Sequence, residues 1–314
     1  MQPDMRYGLI FLLILMGLVA CREKPRVHFP KAVAVRTDGA LELNLMSFNI
    51  RYENPADAAE RSWSQRSVAA VHLIRQEAPD VFGVQECRHG QAADLWASLP
   101  DYRFYGVGRD DGKQGGEYAG IFYQRGRFEL DAADCGVLWL SDTPEIVGSK
   151  TWGNEFPRIV TWVRLLDRSS ERGFYVFNTH WDHKNQYARE RSAAMIARRI
   201  DARRHSDEPV VLLGDLNAVE SNPGVSYLTG KSVSLGGSRQ QWKNGMLDTF
   251  QVLHADQKDR RTLHFWNRNP SGALKVDHIL VAKEARVLKS GIVTRSPQLV
   301  VSDHFPVTAK VVFP

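Results

Sequence analysis

A buried strand that ends on two polar residues is the feature that most constrains how this chain can fold. Residues 210–218 read VVLLGDLNA, an apolar run that stops at Gly214 and then presents Asp215 and Asn217. A run of this kind predicts a buried strand, and open α/β sheets place their chemistry at the carboxyl ends of such strands. Taken alone, the same residues also suit a turn in which Asx side chains bond the nearby backbone, so a functional reading needs partners elsewhere in the chain.

Polar residues close apolar runs in six separate segments. Strands are predicted at residues 41–50, 81–86, 174–178, 210–218 and 276–281, with a terminal strand inside 300–312. The polar residues at their ends are Asn49, Glu86, His180, Asp215, Asn217, Asp277, Asp303 and His304. Because a sheet brings strand ends together, we expect them to meet on one rim, where several carboxylates would repel unless a cation lay between them.

The ligand types narrow the expected metal. Carboxylate and amide oxygens are hard donors that suit Mg²⁺ or Mn²⁺, and Ca²⁺ is compatible with them. The histidines keep zinc open, although no cysteine pair or HExxH spacing indicates a zinc site. Mg²⁺ is therefore the predicted cofactor, with Mn²⁺ as the alternative.

The remaining pattern predicts a single domain over residues 41–314. The 314-residue chain is 43% hydrophobic, which permits a sizeable core, and no internal repeat or second linker divides this range. Amphipathic helices are predicted at residues 64–77, 91–99 and 187–202. Further strands are predicted at residues 102–107, 119–123, 135–140 and 159–166, and the chain between residues 218 and 247 is expected to be irregular.

The amino terminus is similar to the signal of a bacterial lipoprotein. Arg6 precedes an apolar run over residues 8–20 that is too short to span a bilayer comfortably and stops at Cys21. Residues 18–21 read LVAC, which resembles a lipobox. We predict a signal peptide over residues 1–20, lipidation at Cys21, a tether over 21–40 and a location in the cell envelope. An ordinary signal or a single anchor helix is the alternative reading.

Two further cysteines and three aromatic residues are predicted to pack in the core. With Cys21 lipidated, Cys87 and Cys135 remain, and we expect two buried free thiols because nothing in the sequence places them together. Trp242, Phe265 and Trp266 suit either the core or a surface that stacks on substrate, and we predict the core.

Six motifs occur in order across most of the chain. They read MSFNIR at residues 46–51, GVQE at 83–86, NTHWDH at 178–183, GDLN at 214–217, VDHI at 276–279 and SDHFPV at 302–307. This ordered set resembles the endonuclease/exonuclease/phosphatase superfamily, the deoxyribonuclease-I-like metal-dependent phosphohydrolases. The resemblance implies an α/β fold in the form of a four-layer α/β/β/α sandwich, with two mixed β-sheets face to face and helices outside.

The resemblance also implies a set of metal ligands. Glu86 is expected to be the principal Mg²⁺ ligand. Asn49 is expected to assist it, and Asp303 to do so either directly or through water.

The catalytic roles implied by the resemblance fall to five residues. Asp215 is expected to align or deprotonate the attacking water, and Asn217 to orient that water and the phosphate. His180 and His304, the latter paired with Asp277, are expected to contact the phosphoryl oxygens, and one of them to protonate the leaving group. A divalent cation and imidazoles supply the charge neutralisation that phosphoryl transfer requires.

The substrate is less constrained than the chemistry. A net charge of +5 and a pI near 9.1 suit anionic phosphate esters, but they suit any soluble basic protein equally well. Nucleic acid is retained as a candidate substrate, but no feature favours it, because no basic, aromatic-rich insertion predicts a DNA-binding arm. Arg109, Lys113 and Arg158 are predicted to be solvated, with binding of an anionic substrate as the alternative. His278 and Trp181 mark places where substrate contacts are expected to differ from those of the known nucleases.

The prediction is thus a membrane-anchored, monomeric, Mg²⁺-dependent hydrolase of phosphate esters, with monoesters and diesters both open. Two alternatives belong to other classes. A non-catalytic ligand-binding lipoprotein would retain the fold without the chemistry, yet every expected acid, amide and histidine is present. A zinc enzyme or a glycosidase that uses Glu86 and Asp215 as its carboxylate pair would leave the histidines and asparagines without a function.

Overall fold

The computed structural model describes residues 39–267, 271–294 and 301–314, all within one compact unit. The predicted signal peptide, Cys21 and the tether up to residue 38 lie outside the described residues. Among the residues described, no helix has the length and apolar character needed to cross a bilayer.

Two six-stranded mixed sheets form the framework. The first comprises β1 (Leu41–Asn49), β2 (Val81–Arg88), β3 (Tyr102–Tyr105), β4 (Glu117–Gln124), β13 (Arg286–Ile292) and β14 (Val307–Phe313), in the order β13-β14-β1-β2-β4-β3. The second comprises β5 (Phe128–Trp139), β6 (Ile159–Asp167), β7 (Gly173–His180), β8 (Val210–Asp215), β11 (Leu247–Asp248) and β12 (Asp277–Val281), in the order β11-β12-β8-β7-β6-β5.

Helices and a small ribbon complete the described structure. The helices are α1 (Trp63–Glu77), α2 (His89–Ser98), α3 (Gln186–Asp201), α4 (Pro223–Leu228) and α5 (Thr249–Leu253), with a 3₁₀ turn at Ala59–Arg61. The ribbon pairs β9 (Val233–Leu235) with β10 (Ser238–Gln240).

The hydrophobic core follows the alternation of side chains along the strands. In β1, Leu41, Leu43 and Leu45 join the core that the two sheets share, whereas Met46 and Phe48 join a second cluster formed with α1 and α2. A strand with period-two alternation therefore buries both of its faces, one against the other sheet and one against helices. The four-layer α/β sandwich expected from the sequence is confirmed.

The strand pairing places the polar strand ends at one edge of the sandwich. Strand β1 runs parallel to β2, with Asn49 opposite Gln85, and β7 runs parallel to β8, with His180 opposite Asp215. Strand β12 runs antiparallel to β8, so its first residue, Asp277, also lies opposite Asp215. The carboxyl ends of four strands and the start of a fifth thus meet.

The elements predicted from apolar runs are present, with shifts at their ends. Strand β13 was not predicted because it lies at the edge of its sheet and is largely exposed, which leaves no regular apolar alternation to detect. The stretch expected to be irregular contains α4, β9 and β10, which are too short to show a period. Residues 247–250 form the two-residue β11 and the start of α5.

Candidate active site

Glu86 owes its position to a break in the regular pairing of β2. The register between β2 and β4 shifts between Val84 and Cys87, and Glu86 takes a φ of 56°, a conformation that is uncommon for residues other than glycine. A bulge re-aims a side chain at the end of a strand, and strained backbone of this kind concentrates at functional sites. The Glu86 carboxylate accepts hydrogen bonds from Asn49 Nδ2 at 3.1 Å and from the Tyr52 backbone N–H at 3.2 Å.

Asp215 lies at the centre of the converging residues. Its Oδ2 accepts a hydrogen bond from Asn49 Nδ2 at 2.9 Å and stands 3.6 Å from His180 Nε2 and 3.9 Å from His304 Nε2. Its Oδ1 accepts the Asn217 backbone N–H at 2.9 Å. Burial and the negative charge of Asp277 raise the pKa of Asp215. The carboxylate is thus held firmly and is a stronger base than an exposed aspartate.

The histidines on either side of Asp215 differ in charge. His304 Nδ1 bonds Asp277 Oδ2 at 2.8 Å, and although burial opposes it, the charges of Asp277 and Asp215 raise the pKa of His304 well above its usual value. Burial and the nearby Arg158 guanidinium instead lower the pKa of His180 to about 3. At neutral pH one imidazole is cationic and the other neutral.

The donor atoms fit a divalent cation. Ligand atoms from Glu86, His180 and Asp215 lie within 4.8 Å of one another, as do those from Asp215, Asp277 and His304. Asp277 Oδ1 is buried and has no hydrogen-bond partner among the described residues. Buried carboxylates that lack full compensation repel one another, and a cation would relieve that repulsion. The structure therefore has acidic and histidine groups positioned to bind a metal.

Asp303 and Arg51 border this cluster. Arg51 Nη1 lies 3.8 Å from Glu86 Oε2 and 3.8 Å from Asp303 Oδ2, and its bidentate partner is Asp57. Burial and the charge of Glu86 raise the pKa of Asp303, although the charge of His304 opposes this shift. Ser302 Oγ donates to the Asn49 backbone carbonyl at 2.7 Å, which links the end of β1 to the segment that carries Asp303 and His304.

The side-chain amides of Asn49 and Asn217 hold the cluster in position through hydrogen bonds. Asn49 Oδ1 accepts the Arg51 backbone N–H at 3.0 Å, so the amide of Asn49 is already engaged at both ends. Asn217 takes a φ of 46°, and its Nδ2 donates to the Trp181 carbonyl at 3.0 Å. In the structure, Asn217 secures Asp215 through its backbone and ties the β8 end to the β7 end through its side chain.

The remaining motif residues connect the two sheets. Gln85 Nε2 donates to Asn178 Oδ1 at 2.7 Å, and Asn178 Nδ2 donates to the carbonyls of Val84 and Gly120 at 3.0 and 2.7 Å. A Cβ at Gly83 would stand 2.7 Å from Asn178 Cγ, so only glycine permits this approach. This buried polar link fixes the strand that carries Glu86 relative to the strand that carries His180.

Residues 46–304 match the model of the endonuclease/exonuclease/phosphatase family. The chain belongs to this family. Its members are phosphoric ester hydrolases that generally use a divalent metal. The matched range contains all eight residues that converge at the edge of the two sheets.

Members of the family with solved structures resemble the chain closely. An endonuclease/exonuclease/phosphatase from Bacteroides vulgatus is 32% identical, covers 86% of this chain and 98% of its own, and gives a TM-score of 0.77. A mannosyl-6-phosphatase from Bacteroides thetaiotaomicron is 30% identical, covers 86% of this chain and all of its own (100%), and gives a TM-score of 0.76.

Curated relatives match over a smaller share of their length. An uncharacterized protein, L388, of Acanthamoeba polyphaga mimivirus is 30% identical over 162 residues, which are 49% of this chain. The chain spans between 34% and 59% of the curated relatives that it matches.

Within this family member, two arginines that sequence reasoning assigned to the solvated surface are buried. Arg158 is 4% exposed and Arg109 is 7% exposed, whereas Lys113 is exposed as predicted. Both arginines border the same small void as His180. Arg109 lies in the loop between β3 and β4 and Arg158 in the segment before β6, and sequence alone does not show that both segments meet the end of β7 at His180.

Other side chains also differ from their predicted places. Trp181 is fully buried, and His278 bonds Asp248 and the Ala218 carbonyl at 2.7 and 2.9 Å, so both side chains are engaged within the protein. Trp242 is buried as predicted, but Phe265 is 64% exposed and Trp266 is partly exposed, so the core prediction was wrong for Phe265. The thiols of Cys87 and Cys135 are both free, although Cys135 is only half-buried.

Proposed function

We propose that this protein is a Mg²⁺-dependent hydrolase of phosphate esters. The observation that carries the proposal is the arrangement around Asp215, where buried carboxylates without full compensation face a histidine held by a second carboxylate. Phosphoryl transfer needs alignment of the nucleophile and neutralisation of charge more than covalent chemistry. The cluster offers donors for both requirements.

The chain's own residues divide the work. Asp215, held by the Asn49 amide and the Asn217 N–H, aligns the attacking water and accepts its proton. His304 carries a proton on Nε2, binds a phosphoryl oxygen with its positive charge and donates that proton to the leaving group. Neutral His180 contributes a hydrogen bond to the phosphoryl group.

The metal would be held by Glu86, with Asp303 and the neighbouring carboxylates beside it. When bound, a divalent cation polarises the phosphoryl group and neutralises developing negative charge. Mg²⁺ is proposed because the set is dominated by oxygen donors, and Mn²⁺ suits the same set.

A phosphomonoester of a sugar is the favoured substrate within this proposal. Support comes from the 30% identical neighbour that is a mannosyl-6-phosphatase and that matches over its whole length. A role on nucleic acid has no comparable support among the described residues, where the arginines nearest His180 are buried rather than spread over an exposed basic face.

The cellular location is proposed from the sequence. The LVAC run at residues 18–21 supports cleavage before Cys21 and lipidation of that cysteine, which would anchor the enzyme to a bacterial membrane and face it away from the cytoplasm. Cys21→Ser in the full chain should move the protein from the membrane fraction to the soluble fraction. Unchanged partitioning of this variant would remove the lipid anchor from the proposal.

The enzymatic proposal is tested with the full chain in detergent. p-Nitrophenyl phosphate and bis(p-nitrophenyl) phosphate are supplied with Mg²⁺, with Mn²⁺ or with a chelator. We expect metal-dependent release of nitrophenol that Asp215→Asn lowers by about 10³-fold or more, since the base and the alignment of water are both lost. Asp256→Asn, a change at an exposed aspartate, serves as the matched control. Hydrolysis that survives both the chelator and Asp215→Asn would refute the mechanism.

A further inference from the structure

Arg158 is a buried cation without a matching hydrogen-bonded anion. It precedes β6, is 4% exposed, and its Nε and Nη1 find no hydrogen-bond partner in the described part of the chain. Its Nη2 bonds His183 Nδ1 at 3.1 Å, and its nearest carboxylate, Asp182, stands 3.9 Å from Nε. A buried charge of this kind is costly unless something it faces repays its desolvation.

The surroundings of Arg158 lead directly to the catalytic cluster. Arg158, Arg109, Glu117 and His180 line one void of about 10 Å³. Arg109 is neutralised by a two-pronged ion pair with Glu117 at 2.8 and 2.9 Å, and Glu117 Oε2 lies 3.6 Å from His180 Nδ1. At this wall the less fully compensated positive charge is therefore Arg158, because its carboxylate partner Asp182 lies at 3.9 Å and forms no hydrogen bond with it.

We propose that Arg158 is a specificity-determining residue that makes the enzyme prefer phosphomonoesters to phosphodiesters. The inference rests on the proposed phosphate-ester hydrolysis and deepens it by naming the residue that sets the preference for monoesters. A terminal phosphate carries close to two negative charges above its second pKa of about 6, whereas a diester carries one. Arg158 stabilises the additional charge through the electric field that it creates across His180.

The geometry indicates that Arg158 acts on the substrate through its electric field and not through direct contact. A void of about 10 Å³ has room for one water molecule at most, so a second phosphate group or a bulky anion does not fit beside the Arg158 donors. The charge that Arg158 senses must then lie on the phosphoryl group that contacts His180 from the other side. Buried charges are weakly screened, so interactions over this range remain substantial.

Substitution of Glu117 changes the electrostatic potential at the same wall of the site in the direction opposite to substitution of Arg158. It is partly exposed, and its carboxylate lies between Arg109 and His180. Removing its negative charge leaves Arg109 uncompensated and adds positive potential where Arg158 already supplies it. If Arg158 acts through charge, Arg158→Gln and Glu117→Gln must shift the preference in opposite directions.

The experiment compares p-nitrophenyl phosphate with its methyl ester, which share a leaving group and differ by one charge. The ratio of the two kcat/KM values is measured for the metal-loaded full chain at a pH of about 8, above the second phosphate pKa. We expect Arg158→Gln to lower this monoester-to-diester ratio by about tenfold, Glu117→Gln to raise it, and the wild-type ratio to persist in about 0.5 M salt. Arg158→Lys, which retains the charge, should restore most of the ratio.

Arg164→Gln is the matched control. Arg164 lies on β6, is also 4% exposed, and is fully paired with Glu208 and Asp131, so its loss should alter stability but not the ratio. An unchanged ratio in folded Arg158→Gln, or a shift of the same sign in Glu117→Gln, would overturn the inference. If Arg158→Gln does not fold, Arg158→Met, which removes the charge and retains an unbranched side chain, is measured in its place. Absence of metal-dependent hydrolysis of both esters by the wild type would instead refute the proposed function.

Discussion

Adjacent residues on β12 belong to two buried charged clusters on opposite faces of the same sheet. Asp277 points into the catalytic cluster, where it bonds His304 at 2.8 Å. His278 points the other way, where its Nδ1 stands 2.7 Å from Asp248 Oδ2 and 2.8 Å from Lys275 Nζ, while Lys275 Nζ donates to Asp248 at 2.9 Å. We call the second group, formed by Asp248, Lys275 and His278, the structural triad.

The two clusters differ in how completely their charges are compensated. In the structural triad, burial alone would raise the pKa of Asp248, but Lys275 and His278 lower it far below its usual value. In the catalytic cluster, burial and Asp277 raise the pKa of Asp215. A self-neutralised buried cluster becomes destabilising when one partner is removed, whereas carboxylates left in mutual repulsion indicate a place for a ligand cation.

The largest contrast is expected in activity. Asp277→Asn should lower kcat by about 10³-fold, because His304 loses both its orienting partner and the charge that keeps it protonated. The neighbouring change His278→Gln should leave kcat of the folded enzyme within a few-fold. Steady-state kinetics of the two variants measures the contrast, and equal losses in both would show that the faces do not differ in function.

The next largest effect is expected on the free energy of unfolding, where changes in the structural triad should cost more than changes in the catalytic cluster. Asp248→Asn should lower the free energy of unfolding by about 3 kcal/mol, since buried Lys275 loses its hydrogen-bonded anion and keeps only Glu220 at 3.8 Å. Asp215→Asn should cost far less, because it removes a charge that is already repelled by Asp277. Urea unfolding followed by circular dichroism compares the two, and a more unstable Asp215→Asn protein would reverse the assignment of the clusters.

A bound metal ion should stabilise the folded protein through the catalytic cluster and not through the structural triad. Mg²⁺ at about 100 times its dissociation constant should stabilise the wild type by about 2.7 kcal/mol through linkage. Glu86→Gln should abolish this gain, whereas Asp248→Asn should keep it on a lower baseline. Thermal unfolding with Mg²⁺ or a chelator provides the measurement, and a full Mg²⁺ effect in Glu86→Gln would place the ion elsewhere.

The smallest effect is a pH dependence of stability confined to acid. A lowered pKa in the folded state means that Asp248 contributes stability above its unfolded pKa of about 3.9, and that this contribution fades as pH falls below it. The stability difference between wild type and Asp248→Asn should therefore be constant from neutral pH to about 5 and shrink at lower pH, by up to about 1.4 kcal/mol per unit. A difference that grows toward acid pH would contradict this sign.

The sequence motifs predicted which edge of the sandwich carries the candidate catalytic and metal-binding residues, because apolar runs that end in polar residues can be recognised locally. The carboxylate paired with His304 indicated its protonated form, but the motifs did not predict that His180 is neutral. The bulge that turns Glu86, the engagement of Asn49 at both ends, and the burial of Arg109 and Arg158 all depend on contacts between distant segments. His278 illustrates the same limit, since only the fold shows that it faces Asp248 instead of substrate.

The most direct test of the account is the position of a bound ion. Crystals grown with Mn²⁺ would show it by anomalous scattering, with the two faces of β12 in the same map. We expect one strong peak within coordination distance of the Glu86 carboxylate and none beside Asp248, and we expect Glu86→Gln crystals to lose that peak. A peak at the structural triad, or a peak that persists at the edge of the sheets in Glu86→Gln crystals, would contradict it.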